Sequence, residues 1–446
     1  LDPQPAEACG GCFVPPEENS QVTGHRMVLS VSKTQTTLYD QIEYSGEPES
    51  FAWVLPTQGI VDIGLAPDLF FNQLGQDTAV FVQPPPINCP SPGCGGELAA
   101  DGSGSATGAG GGGPGGGVTV LESKTVGPYE TVQLDADTPD ALKGWLKEHG
   151  YKIPADIEPV INGYLAEGFN FLAMKLVPGV GIDKMQPVSI STKGASPVLP
   201  LRMVAAGTGQ KTLVTLFVIG EGRYEPQNFP AFSIPAAGVV WNWDKGESNY
   251  SELRDVAYDA SGGFAWQTES SVQYYPSNFR GQMEQIIWFN GPDAAGYAGL
   301  TEDEAIAQMN KDVDRLFAGM HEASVRVTRL RAELSRAALA TDLVVGASDD
   351  QDLLSNFIQV TKSVGTPPPC PPPPDCGDSD DDDGFGSGIG FPGFDGDDDG
   401  GGLRSGKGGC NVHGTPHDGF GVLLAGALGL ALLHARRRRS RCQRSA

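Results

Sequence analysis

Apolar and polar residues alternate through residues 25–33 (HRMVLSVSK), the two-residue period of a strand with one face buried. Residues 36–44, rich in Thr, Tyr and Ile, read as its partner, with Lys33-Thr34-Gln35 as a tight turn and Ser45-Gly46-Glu47-Pro48 as turn chemistry beyond it. Residues 51–55 (FAWVL), stopped by Pro56, predict a short buried strand. Further strands are expected at 78–82, 118–123, 129–134, 169–176, 188–191, 201–205, 212–219 and 325–331. The run 212–219 (TLVTLFVI) is the most apolar and predicts a central position.

Helical spacing appears between these runs. Residues 66–74 predict a short helix with Pro67 near its start and Gly75 after its end. Thr138 is a candidate N-cap for a helix over 141–149, with Pro139 in its first turn; Leu142, Trp145 and Leu146 share a face and Gly150 stops it. A second helix fits 157–166, with Ile157, Ile161, Tyr164 and Leu165 on one side. Thr301 caps another, with Glu302, Asp303 and Glu304 complementing its dipole and Ile306, Met309, Val313, Leu316 and Phe317 following at helical spacing to Gly319. Strands interspersed with short helices predict an α+β, β-rich domain over residues 8–345, with two β-rich subdomains as one arrangement. Arg26-Met27-Val28 with Thr37-Leu38 and Gly46-Glu47 rhymes with Arg202-Met203-Val204, Thr212-Leu213 and Gly220-Glu221, a short match that fits a duplicated β unit and chance equally.

Two tracts break the pattern. Residues 84–117 run from prolines into Gly, Ser and Ala, and predict a disordered insertion within one domain. Residues 346–409 are expected to form a Pro-, Asp- and Gly-rich spacer in which Pro367–Pro374 favours polyproline II and ten Asp fall within 375–399. The net charge is −25, of which the chain before Asp375 carries −22. Such acidity repels a phosphate backbone and argues against nucleic-acid binding. A solvated, aggregation-resistant surface explains it more simply than a cation-binding one.

Of eight cysteines, three close pairs sit among Gly or Pro: Cys9 and Cys12, Cys89 and Cys94, Cys370 and Cys376. They are expected to pair locally as disulfides, which fits an oxidising compartment. The chain begins at Leu1, as a removed signal peptide would leave it and as a shortened chain equally would. Residues 419–435 are apolar apart from His434 and span roughly 25 Å as a helix, a little under a hydrocarbon core. Phe420, Leu423, Leu424, Leu428, Leu430, Leu432 and Leu433 supply the apolar surface. Arg436, Arg437, Arg438 and Arg439 follow and stay cytoplasmic by the positive-inside rule, which puts the main domain outside. The membrane is thus one expected partner, in an exported protein of the cell envelope.

Two resemblances bear on this. Cys410 in a Gly-rich setting, a short apolar span and the terminal arginines resemble the myxobacterial sorting signal of the MYXO-CTERM type. That resemblance implies a sorting protease as a partner, processing or lipid attachment at Cys410, and display at the cell surface. Cys9-Gly10-Gly11-Cys12-Phe13, His25-Arg26-Met27, residues 35–42 (QTTLYDQI) and residues 51–56 (FAWVLP) resemble the bacterial family called domain of unknown function 2330, as do Val126-Gly127-Pro128-Tyr129 and Trp145-Leu146 with Gly150-Tyr151. This likeness covers residues 8–345, implies an exported protein, and supplies no activity and no catalytic residue.

The candidate chemistry is sparse. Cys9-Gly10-Gly11-Cys12 has dithiol redox spacing, but Phe13-Val14-Pro15-Pro16 follows rather than a helix, so a structural disulfide or metal ligation fits better. His25, Asp40 and Ser30 could be combined as a hydrolase set, yet Ser30 sits mid-strand with no nucleophile elbow. His149 and His321 lack metal-ligand spacing, and the Gly tract at 108–117 lacks the Lys-Ser/Thr of a phosphate loop. Asp395-Gly396-Asp397-Asp398-Asp399-Gly400 starts like an EF-hand loop, but Gly406 stands where the bidentate Glu belongs, leaving at most weak Ca²⁺ binding by the spacer. The stretch 239–289 is unusually aromatic; core packing is the simpler reading, and a stacking platform of Trp241, Trp243 and Trp266 the other. No cofactor, metal site or catalytic residue is expected. A binding or structural protein with an unknown extracellular ligand is the first expectation. An enzyme with a scattered site, and less so a thiol-disulfide protein using Cys9 and Cys12, are the alternatives.

Overall fold

The structure is a computed structural model that describes residues 12–13, 21–45, 52–87, 89, 122–136, 138–149, 158–180, 184–205 and 210–370. All of these belong to one unit, residues 1–374. Most of the insertion, the spacer beyond 370 and the C-terminal hydrophobic run lie outside the described residues.

Along the chain come β1 (Cys12–Phe13), β2 (Gln21–Val31), β3 (Gln35–Ser45), β4 (Ala52–Thr57), β5 (Asp62–Leu65), α1 (Asp68–Thr78) and β6 (Phe81–Gln83). After the insertion follow β7 (Glu122–Val126), β8 (Tyr129–Leu134), α2 (Pro139–Glu148), α3 (Glu158–Ala166), β9 (Asn170–Leu176), β10 (Val188–Lys193), β11 (Val198–Leu199) and α4 (Leu201–Val204). Next are β12 (Lys211–Glu221), β13 (Tyr224–Pro226), β14 (Ala231–Phe232), β15 (Val240–Asn242), β16 (Glu247–Ser248), α5 (Tyr250–Ala260), β17 (Trp266–Gln273), α6 (Pro276–Asn290) and α7 (Glu302–Leu316). The last are β18 (Val325–Ser335), β19 (Leu343–Ala347), β20 (Phe357–Gln359) and β21 (Lys362–Val364). The class is α+β with strands dominant, as expected.

Four layers result. An eight-stranded sheet runs β14-β17-β18-β12-β2-β3-β10-β5, and a five-stranded sheet runs β1-β4-β9-β8-β7. The period of two sends alternate residues of one strand into different cores. In β12, Val214, Leu216 and Val218 join the core between the sheets, whereas Phe217 and Ile219 face α1, α6 and α7 on the other side. In β4, Trp53 and Leu55 face the inter-sheet core and Val54 faces α2 and α3. Both sheets are therefore covered on both faces. β12 lies centrally, antiparallel to β18 and parallel to β2.

Several expectations are corrected. The strand at 201–205 is the helix α4. Leu201 and Val204, three apart, share the inter-sheet core while Met203 enters the core under α2 and α3, a helical rather than a two-residue period. The rhyme with residues 26–28 therefore marks no duplicated strand, since those residues lie in β2. Pro56 does not end its strand; β4 runs to Thr57 beside β9. Thr78 belongs to α1, so the strand expected at 78–82 is the shorter β6. Strands continue beyond residue 345, where the spacer was expected to begin. Leu354 bridges Ser271, β20 pairs parallel with β6, and β21 pairs parallel with β15. Residues 348–370 thus form a strap across the unit.

Candidate functional site

A cleft of about 60 Å³ opens between the two sheets. Its walls are Leu29 of β2, Leu38 of β3, Leu55 of β4, Ile190 of β10 and Val198 of β11. Leu29, Leu38, Leu55 and Ile190 are buried because each strand turns alternate residues inward. Thr36, Pro56, Thr57, Gln58, Phe169, Thr192, Ser196, Pro200 and Asp342 complete the lining. The hydroxyls bond within the protein: Thr36 Oγ1 donates to the Gly194 carbonyl at 2.9 Å and accepts from the Ser196 amide at 2.8 Å. Thr57 Oγ1 donates to the Gly59 carbonyl at 3.2 Å, and Thr192 Oγ1 to the Thr36 carbonyl at 3.3 Å. Apolar walls with a few polar groups at the lining is the composition of a small-molecule site.

Asp342 is held rigidly at the flank of the cleft. Its carboxylate accepts from the Tyr164 hydroxyl at 2.5 Å, the Arg202 amide at 2.9 Å and Arg202 Nε at 2.9 Å. Arg202 also grips Glu167 through two bonds of 2.7 and 2.6 Å and lies over the Tyr164 ring at 3.9 Å. Burial, with the Asp342 charge adding to it, pushes the Tyr164 hydroxyl far above the usual phenol range. The Arg202 hydrogen bonds draw the Glu167 carboxyl below the usual carboxylate range. With its oxygens engaged in this way, Asp342 acts as a wall of the cleft rather than as an acid or base.

Of the residues considered from the sequence, His25 and Asp40 are brought together. His25 Nδ1 lies 3.2 Å from Asp40 Oδ1, with side-chain exposures of 0% and 2%. Nε2 of His25 is buried with no hydrogen-bond partner. Ser30 does not complete a triad: its hydroxyl donates to the Leu316 carbonyl at 2.6 Å, and Ser30 alternates with Leu29 onto the other face of β2. His149 stacks on Trp145 at 3.8 Å, and the His321 backbone amide donates to Glu221 at 2.6 Å. The aromatic stretch is mainly core. Tyr258, Trp266 and Phe279 are buried, while Trp241 and Trp243 are half-buried with rings 6.1 Å apart; Trp266 is therefore not part of a platform.

A second buried acid was not singled out from the sequence. Asp312 of α7 accepts from Gln308 Nε2 at 3.0 Å and from the Tyr297 hydroxyl at 3.2 Å. Burial pushes its carboxyl up to about 6 despite those bonds and the nearby Arg315 and Lys311. Helical spacing marked Ile306, Met309 and Val313 as the inward face, and an acid at 312 on the same turn was the only available signal.

The cysteines depart from local pairing. Cys89 is bonded to Cys370, 281 residues away, with Cα atoms 5.5 Å apart. The cause is topological: β6 and β20 pair in parallel, so the chains beyond Gln83 and Gln359 leave in the same direction. This replaces the expected pairs Cys89–Cys94 and Cys370–Cys376. Cys12 lies in β1 opposite Trp53. Cys9, Cys94, Cys376, Cys410, the anchor residues from Phe420 to Arg439 and the Asp-rich segment lie outside the described residues.

The fold and cleft define a layered α+β domain with a small inter-sheet site. The family model described as an uncharacterized protein conserved in bacteria (DUF2330) matches residues 3–285, and the chain belongs to that family. No curated protein matches the chain. Among solved structures, a mutated baculovirus P35 after caspase cleavage is 11% identical, over 45% of this chain and 67% of that one, with a TM-score of 0.20. That likeness says nothing of this chain's fold or activity.

Proposed function

We propose that the chain is an exported binding module, displayed from the cell envelope by its C-terminal hydrophobic run, whose folded unit takes a small ligand between its two sheets. The cleft carries this reading: aliphatic walls from five strands, and lining hydroxyls already bonded within the protein. A ligand entering it covers apolar surface without stripping partners from those hydroxyls. The long-range disulfide supports export, since such bonds persist in oxidising compartments. The test is ligand-observed NMR on the full chain in detergent with short neutral and charged aliphatic fragments. Binding is expected, and Thr192→Phe, which fills the lining, should remove it. No binding by any fragment would overturn the reading.

The anchor is tested separately. The full chain should fractionate with membranes, and a chain lacking 411–446 should not; continued membrane association without that segment rejects the anchor. An enzymatic role is the second reading, favoured by one observation, the His25–Asp40 pair. A dithiol role is less well supported, because Cys12 sits in a strand rather than at a helix N-terminus.

A further inference from the structure

A second space lies behind the cleft. This cavity of about 10 Å³, close to the size of one water, is lined by Met27, Asp40, Trp53 and Met203, together with Leu38, Leu55 and Pro200. Leu38, Leu55 and Pro200 line the outer cleft as well, so these three side chains form an aliphatic wall between the two spaces. A ligand that parts Leu38 from Leu55 passes from the hydroxyl-lined cleft to the space beside Asp40. Among the described residues, the bond to His25 is that carboxyl's one hydrogen bond.

The chemistry of the inner end is selective. With its proton on Nδ1, the imidazole donates to Asp40 and fixes the orientation of its carboxyl group. A buried carboxylate with a single donor is costly, and a second donor offsets that cost. The inner cavity admits a group of about the size of a water, which an ammonium is. The net charge of −25 raises the local concentration of cations and lowers that of anions.

From these features we infer that the site selects short aliphatic primary amines, the ammonium donating to Asp40 and the alkyl chain lying between Leu38 and Leu55. This deepens the binding reading and rests on it. His25 is a positioning residue here, orienting the carboxylate.

The test compares butylammonium, butanol and butyrate at matched ionic strength, by ligand-observed NMR on the full chain. Butylammonium is expected to bind at least about tenfold more tightly than butanol, because it brings a full positive charge where the alcohol brings a neutral donor, and butyrate not to bind. Asp40→Asn should cut the amine's advantage over the alcohol to less than about twofold. Should Asp40→Asn fail to fold, the imidazole nitrogen shifts of His25 in the unaltered chain give the same answer: they should move with butylammonium and stay with butanol. Equal affinity for amine and alcohol, or amine binding that leaves the His25 shifts in place, overturns the inference while leaving the binding reading intact. Failure of all three ligands removes both.

Discussion

Single residues show where burial and charge compete. Asp312 is buried among apolar neighbours, Met309, Val313 and Leu316, on the inner face of α7. Its carboxyl, pushed up to about 6 by burial, holds a proton more tightly in the folded chain than its ordinary value of 3.8 allows in the unfolded one. The resulting stabilisation is fully present below the ordinary value and is lost as pH rises through about 6. Asp312→Asn should remove this dependence. The stability of the variant relative to the natural chain should rise by roughly 2 kcal/mol on going from about pH 4 to about pH 7. Denaturant titrations at several pH values check it, and a difference that stays flat with pH would reject the assignment. The buried position was legible from the sequence, because Met309, Val313 and Leu316 mark the inner stripe. The shifted acid was not, because its cause is burial, which arises only when distant elements pack over that turn.

Elements with a one-sided apolar pattern were legible, and elements buried by polar contacts were not. Thr301 and Glu304 form the capping box that opens α7, each bonding to the other's backbone amide. By contrast β17 (WQTESSVQ) carries little apolar signal yet is buried over most of its length. Glu269 pairs with Arg329 at 2.6 Å, Ser270 donates to the Thr78 carbonyl at 2.9 Å, Ser271 meets Thr328 at 3.0 Å, and Gln267 donates to Tyr250 at 2.8 Å. Each partner is distant in the chain, so hydropathy could not show that the strand lies inside. The strap is a further element that composition concealed, since its few paired residues are set among prolines and acids. Its clasp is Cys89–Cys370, which closes a 281-residue loop in the unfolded chain; the chain-entropy account assigns such a loop about 6 kcal/mol. Cys370→Ser should lower the melting temperature and speed amide exchange in β20 and β21 while sparing β12. Unchanged exchange in β20 and β21 would mean that the strap holds without the bond.

At the scale of the whole molecule, the cleft exists because two sheets pack face to face while α2, α3 and α1, α6, α7 cover their outer faces. Its lining runs from Leu29 to Asp342, so residues far apart in the chain meet only once both sheets have formed. This is why the sequence showed the strands and the α+β class but no site. His25 and Asp40 were visible as candidate chemistry; the place of Asp40 behind the aliphatic wall of the cleft was not. The same separation ties the site to the fold, since a ligand there bridges both sheets and stabilises the folded chain by mass action. The most direct measurement is a methyl-labelled NMR spectrum of the full chain titrated with butylammonium. Binding in the cleft predicts shifts at Leu29, Leu38, Leu55 and Ile190, with Leu213 of β12, outside the lining, unmoved. Shifts confined to surface methyls, or none at saturating ligand, would contradict it.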